Sequence, residues 1–390
     1  MRILSIHNAY QIRGGEDESC AAEERLLENY GHQVDRYTAT NDDIPTYNPL
    51  RLAAKTIWSQ TAYKAVRQTL RANRYDVVHV QNFFPLISPS VYYAAQAEGV
   101  PVVQTLRNYR LICPNALFFR DGQVCEDCVG KAIPYPGIMH GCYRQSKPAS
   151  AMVTAMISTH RVLKTWDRQV NLFVALTQFA KQKLVEGGLV ADKIIVKPNF
   201  IDPDPGVGSG SGGFALYVGR LSVEKGLDTL IDAWRQLAVP YPLKIVGDGP
   251  LADMVKDATQ TIPAIEWLGR RPMSEVHTLM GEASFLIFPS KWYETFGRVA
   301  VEAFAKGTPV VAAKIGAIAE LVEAGRTGLV FEPGNAQSLA QQVQYMLNDP
   351  DQQAIMRRIA RQTYLDRYTA TQNYSYIKSI YEKAIFSRAV

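Results

Sequence analysis

"DPDPGVGSGSGGFALYVGRL", residues 202–221, opens on a run of Pro, Gly and Ser that can build neither a helix nor a strand interior. A short apolar strand follows at once. Ahead of the run, "RILSI", "VDRYTA", "DVVHV", "VPVVQTL", "LFVALT" and "IIVKPN" alternate with amphipathic stretches such as "AAEERLLENYG". This is the βαβ rhythm of a mostly parallel, doubly wound sheet. Beyond the run it restarts with "FALYVGRL", "LKIVGDGP", "IEWLGR", "FLIFPS", "TPVVAA" and "GLVFEP", each followed by residues at helical spacing. The reading is therefore two α/β domains, 1–201 and 214–365, joined by a linker at 202–213 and followed by a helical tail at 366–390. At 390 residues the chain also exceeds what a single core usually organises. Two such domains imply a cleft lined by the carboxyl ends of their strands.

With 47% hydrophobic and 20% charged residues the composition is globular. A net charge of +5 is too weak to argue for nucleic acid and suits a phosphorylated ligand or an anionic surface. The opening "MRILSIH" is strand-like, with no signal sequence, and no apolar run nears the ~20 residues that span a bilayer. A cytoplasmic protein is expected. Residues 51–74 hold six bases and no acid, with Trp58 and Tyr63 at apolar positions, so peripheral contact with the inner membrane surface is a second expectation.

In the second domain the strand ends carry a set of anion-binding residue types: Gly219, Arg220 and Lys225 in "GRLSVEKG", Gly247 in "GDGP", Gly269 and Arg270 in "LGR", and "YETFGRVAVEAF" at 293–304. Arg220 can fork onto phosphate oxygens and Lys225 adds a second, mobile charge, so a diphosphate can be neutralised without a metal. A helix beginning near Gly297 offers free N–H groups beside Phe296 and Arg298. In one continuous helix Glu294 and Glu302 would stand about 80° apart. With the helix starting at Gly297, Glu294 lies in the loop before it and Glu302 about one and a half turns in. The two carboxylates then hold hydroxyls on opposite sides of a diphosphate.

Other patterns fail on context. Gly208, Gly210 and Gly213 satisfy GxGxxG but precede a strand instead of linking strand to helix. Asp202 and Asp204 spell D-x-D inside the linker, where solvation is the simpler reading. "GDGP" is better placed, and it keeps an NAD-dependent oxidoreductase or epimerase as an alternative, with a non-catalytic nucleotide-sugar binder as another. The histidines His7, His79 and His140 read as core or cleft-lining.

Cys113, Cys125, Cys128 and Cys142 fall within a long insertion, 107–150. In a cytoplasmic chain they point away from disulfides. The C-x2-C pair is half of a tetrahedral thiolate site, with Cys113 and Cys142, or His140 in place of one, completing a structural zinc site.

Over its whole length, from "GGED" through "KPNFID" to the final helices, the chain resembles family 4 of the retaining glycosyltransferases. The resemblance implies the GT-B fold of two facing Rossmann-like domains. It also implies transfer of a hexose, with retained anomeric configuration, from a nucleotide-diphosphate donor of the UDP-glucose type. By resemblance Arg220 and Lys225 bind the diphosphate, Glu302 the ribose and Glu294 the sugar. Gly269 and Arg270 lie near the base, and Gly14 and Gly15 form a loop over the phosphates. The C-terminal helix is expected to cross back to the first domain. No catalytic metal is implied. The acceptor is a sugar phosphate, as in sucrose-phosphate synthase, or a lipid-linked or polysaccharide hydroxyl. One departure stands out: where many members carry His-Asp after the fourth strand, this chain has Arg107-Asn108, with Arg110 close by. A guanidinium cannot act as a base at pH 7, so these acceptor-side residues read as anion binders.

Overall fold

The structure, a computed structural model, describes residues 1–11 and 14–387. Among the described residues fourteen strands run in chain order: β1 (Arg2–Ala9), β2 (Gln33–Thr40), β3 (Val77–Asn82), β4 (Val102–Leu106), β5 (Phe119–Arg120), β6 (Gln123–Val124), β7 (Leu172–Ala175), β8 (Ile194–Val196), β9 (Ala215–Val218), β10 (Leu243–Val246), β11 (Ile265–Gly269), β12 (Phe285–Phe288), β13 (Val310–Ala313) and β14 (Gly328–Phe331). They form two six-stranded sheets, ordered β2-β1-β3-β4-β7-β8 and β11-β10-β9-β12-β13-β14, and every pairing within them is parallel. Parallel pairing demands crossovers, and helices supply them. The pair β5 and β6 is a small antiparallel hairpin inside the insertion.

The chain divides into two compact units: residues 1–118, 126–198 and 373–390, and residues 119–125 and 199–372. In the first unit, Ile3, Val77, Val103 and Val174 from the sheet are buried together with Ile377, Ile380 and Tyr381 of the helix Ala370–Phe386. The C-terminal helix therefore completes the first unit's core from Asn373 onward. In the second unit the strands β9, β10 and β12 bury their side chains against Leu227, Leu230, Ile231 and Trp234 of the helix Leu227–Gln236 and against Leu339 and Val343 of the helix Ala336–Asn348. The four strand residues of β12 and of β13 are all buried, as expected of strands covered on both faces.

The stretch 202–213 contains neither helix nor strand, yet it is fastened along the second unit. Gly208, Gly210 and Gly212 donate their N–H groups to the carbonyls of Lys306, Gly281 and Glu282 at 2.8–2.9 Å. Asp204 forms a two-pronged pair with Arg361 at 2.7 and 2.8 Å. Its carboxylate thus serves as an anchor for the chain. No helix among the described residues is long and apolar enough to cross a membrane.

Candidate functional site

Sheet order places the chemistry. In the second sheet, β9 is flanked by β10 and β12, so the chain reverses its winding between β9 and β12, and open α/β sheets bind ligands at such a point. The loops leaving β9, β10, β11 and β12 carry Gly219 to Gly226, Gly247 to Pro250, Gly269 to Arg271 and Pro289 to Gly297. The residues singled out in the second-domain sequence lie on these loops or on the helix after the last.

Glu294 lies in the loop after β12, largely buried, and its Oε1 collects three donors: Lys225 Nζ at 2.6 Å, Trp292 Nε1 at 2.9 Å and Ser290 Oγ at 3.1 Å. Lys225 also lies 5.2 Å from the Trp292 ring centroid. This approach requires Gly226. Its φ is +71°, and a Cβ there would stand 2.0 Å from the Pro289 carbonyl oxygen, so a side chain would push the Lys225 loop off the end of β12. Gly247 is required in the same way. At φ +142°, its Cβ would lie 1.8 Å from the Gly219 carbonyl oxygen, and its N–H bonds to the carbonyl of Gly269 at 2.9 Å. Three loops are thus packed backbone to backbone. Arg220 stands on the first of them, exposed, its carbonyl accepting the Tyr217 hydroxyl at 3.0 Å. Its guanidinium makes no ion pair among the described residues.

The helix Arg298–Ala305 starts at Gly297, which sits at φ +108° with no side-chain cap. The positive end of its dipole therefore faces the loop that carries Glu294. Glu302, 2% exposed, accepts Arg298 Nε at 2.9 Å, so its carboxylate is held one turn into the helix on the side chosen by that arginine. Phe296 is buried, edge-on to Tyr368 with ring centroids 6.1 Å apart. Arg270 is exposed beyond Gly269.

The first unit holds its own polar site where β1, β3 and β4 end. Gly15 is the first residue of the helix Gly15–Asn29, and Gly14, its N-cap, donates to Asp17 Oδ2 at 3.0 Å. Asp17 in turn meets His7 Nε2 at 2.8 Å. Asn108 Nδ2 and the Tyr10 hydroxyl donate to Glu16 Oε2 at 3.3 and 3.1 Å. Desolvation raises the pKa of Glu16. Arg107 is buried and donates to Gln81 Oε1 at 3.0 Å. Behind Gln81 lies a network that sequence reading did not find. Gln81 Nε2 donates to Glu23 Oε1 at 2.6 Å, Lys197 Nζ to Glu23 Oε2 at 2.6 Å and to Asn373 Oδ1 at 3.0 Å, and His79 sits between the Tyr381 hydroxyl at 2.7 Å and Thr105 Oγ1 at 2.8 Å. Burial opposes the charge of Glu23, but Lys197, then His79 and Arg107, hold its carboxyl well below the usual range. Burial pushes the His79 imidazole down to about 4. The available signal was Lys197, a lone charge closing the apolar run "IIVK".

The insertion is ordered without a gathered thiolate site. Among the described residues no group of three or more His, Cys, Asp or Glu is placed to hold a metal, and no disulfide forms. Cys113, Cys125, Cys128 and Cys142, expected to hold zinc, thus form no such ligand group among the described residues. Cys113 N–H closes a turn on the Tyr109 carbonyl at 2.9 Å, Cys142 N–H one on Gly137 at 2.9 Å, and the Cys128 thiol approaches the Pro134 carbonyl at 3.8 Å. What ties the segment down is Arg161, whose guanidinium donates to the carbonyls of Lys131, Leu111 and Gly187. In the basic stretch 51–74, Arg67 and Arg71 both pair with Glu98, at 2.6 and 3.0 Å, and Lys55 donates to the Tyr47 hydroxyl at 2.7 Å.

Two parallel α/β units, each with polar loops at the switch of its sheet, define the class of doubly wound folds that bind nucleotides and other ligands at that point. Residues 24–199 match the family described as glycosyl transferase 4-like domain and residues 209–363 the glycosyl transferases group 1. The chain belongs to the family 4 glycosyltransferases of GT-B fold. Over 180 residues, 46% of the chain, it is 32% identical to an uncharacterised glycosyltransferase of Methanocaldococcus jannaschii, covering 50% of that protein. It spans about half or less of the length of the first curated relatives it matches. A D-inositol 3-phosphate glycosyltransferase of Catenulispora acidiphila is 28% identical, with 74% of this chain and 68% of that one covered. Among solved structures, the sucrose-phosphate synthase of Thermosynechococcus elongatus superposes with a TM-score of 0.73 at 17% identity, covering 99% of both chains. HepE of Anabaena, crystallised with UDP and glucose, gives 0.69 at 22% identity, covering 97% of this chain and 98% of that one.

Proposed function

We propose that the protein is a retaining hexosyltransferase that moves a sugar from a nucleotide-diphosphate donor, of the UDP-glucose type, to an acceptor hydroxyl. The observation that carries this reading is the convergence, at the switch of the second sheet, of Lys225 on Glu294 beside the uncapped helix end at Gly297. Arg220, Lys225 and that helix end supply positive potential for a diphosphate, with Glu302 toward the ribose and Glu294 toward the sugar hydroxyls. The UDP and glucose bound in the Anabaena structure support the donor class.

The chemistry follows from charge. The acceptor oxygen bonds to the anomeric carbon as the bond from that carbon to the diphosphate oxygen breaks, and the acceptor's proton passes to the departing diphosphate on the same face. Glu294 already has three donors on one oxygen, which suits a hydroxyl clamp better than a nucleophile. The protein's part is to stabilise developing charge on the leaving group, a role in which fixed donors are worth several kcal/mol. Two cations and a helix end fill this role with no catalytic metal. The acceptor is a sugar phosphate or a lipid-linked hydroxyl, and for the latter the exposed Leu50 beside Arg51 is the feature suited to a cytoplasmic membrane surface.

A panel of UDP-, GDP- and ADP-sugars scored for slow donor hydrolysis, with and without chelator, tests the reading. Hydrolysis of one UDP-hexose that persists in chelator is the expected result. A nicotinamide absorbance change with no donor hydrolysis would put the oxidoreductase alternative in its place, and tight UDP binding with neither hydrolysis nor transfer would leave a non-catalytic binder.

A further inference from the structure

We propose that Lys225 and Glu294 are an exchange pair by which the donor site tells a sugar nucleotide from the spent nucleoside diphosphate. The diphosphate draws the Lys225 ammonium away, and a sugar hydroxyl takes its place on Glu294. The inference rests on the donor-site reading of these two residues and concerns the selectivity of that same site.

A carboxylate offers about four lone-pair positions on its two oxygens, so two donors fill one oxygen and three crowd it. Glu294 Oε1 has three: Lys225 Nζ at 2.6 Å, Trp292 Nε1 at 2.9 Å and Ser290 Oγ at 3.1 Å. A hydroxyl that reaches this oxygen must displace one of them. Ser290 is buried and short, and the Trp292 indole is rigid beyond its two torsions. Lys225 ends a flexible stem, and its side chain is 24% exposed. It is the donor that can leave.

Only that side chain needs to move, because backbone contacts fix the two loops to each other. Lys291 N–H donates to the Glu224 carbonyl at 2.9 Å, Lys225 N–H closes a turn on the Ser222 carbonyl at 3.0 Å, and Gly226 lies against the Pro289 carbonyl. In its resting place the ammonium also stands over the Trp292 ring, 5.2 Å from the centroid. Departure therefore costs a charge-assisted hydrogen bond and a cation–π contact.

A sugar nucleotide replaces both losses, with diphosphate oxygens for the ammonium and a hydroxyl for the carboxylate. A nucleoside diphosphate offers the first alone. If Lys225 turns to it, the largely buried Glu294 loses its ammonium and faces the diphosphate as a like charge. If Lys225 stays, the diphosphate goes without that cation. The spent nucleotide is thus held less tightly than the donor, and the ammonium returns to Glu294 as it departs. Trp292 and Ser290 keep the carboxylate oriented throughout.

The test is titration calorimetry on the full chain with three probes: UDP, UDP-glucose and the ethyl ester of UDP. The ester carries the charge of the sugar nucleotide and none of the sugar's hydroxyls. Wild type should bind UDP-glucose more tightly than the ester on the order of 10- to 100-fold, the effect of one charge-assisted hydrogen bond. Glu294→Gln should tighten UDP and the ester, weaken UDP-glucose and so close the gap. In a Lys225→Ala background the same substitution should change the affinity for UDP and the ester by about twofold at most, since no ammonium is left to release. A gain for UDP of equal size in both backgrounds would reduce Glu294 to plain repulsion and overturn the exchange. Folding of the variants is checked by circular dichroism, and the wild-type comparison needs no variant: equal affinity for the ester and UDP-glucose overturns the exchange by itself. Binding of none of the three probes to wild type overturns the UDP-type donor reading instead.

Discussion

Glu294 and Glu302 look like a pair in the sequence and are separated in the structure. One is bound by Lys225, Trp292 and Ser290 in a loop, the other by Arg298 on a helix, and the Phe-Gly step stands between them. Lys225, paired with Glu294 and only partly buried, has an ammonium on a flexible stem that can also turn to a bound diphosphate. Lys225→Ala should therefore lower turnover at saturating donor on the order of 100-fold. Steady-state rates with donor well above KM check this, and near-normal turnover would remove Lys225 from the leaving-group site. The E-x7-E spacing, the basic pair and the strand-end glycines were legible because each residue type does local work. Trp292 and Ser290 were not, since nothing in a tryptophan or serine beside a glutamate says which way its donor points.

At the scale of elements, alternation of short apolar runs with helical spacing was enough to place two parallel sheets. Packing decided the rest. The composition of 202–213 reads as a linker, and the backbone there is bonded to the ends of two helices of the second unit. The C-terminal helix closes the first unit's core, and Asn373 on it meets Lys197, which is 1% exposed and faces an equally buried Glu23. Removing one partner of such a pair leaves a buried charge without compensation. Lys197→Met should cost about 3–5 kcal/mol of stability in urea denaturation, and adding Glu23→Gln should recover part of it. A Lys197→Met midpoint equal to wild type would show that the pair is hydrated.

Across the whole molecule, burial of histidines gives stability a pH dependence with a definite sign. His79 takes a proton near pH 6.5 in the unfolded chain but only near 4 when folded. Between those values the unfolded state binds more protons, so stability rises with pH; the contribution is complete above 6.5 and is lost as pH falls toward 4. His160 and His277 are also shifted down by burial and act in the same direction. Melting temperature measured from pH 7 down to 4.5 should fall steadily, and His79→Gln should flatten the slope. A wild-type profile flat over that range would place His79 in contact with water. The sequence alone determined the two-sheet architecture and the family resemblance, and it singled out the residues at the second sheet's strand ends, because hydrophobic period and residue chemistry are local properties. Only the tertiary structure decided that Arg107 is oriented from Lys197 through Glu23 and Gln81, and that the C-terminal helix closes the first unit's core. Those outcomes depend on which distant side chains burial forces to satisfy one another, and no spacing along the chain encodes that.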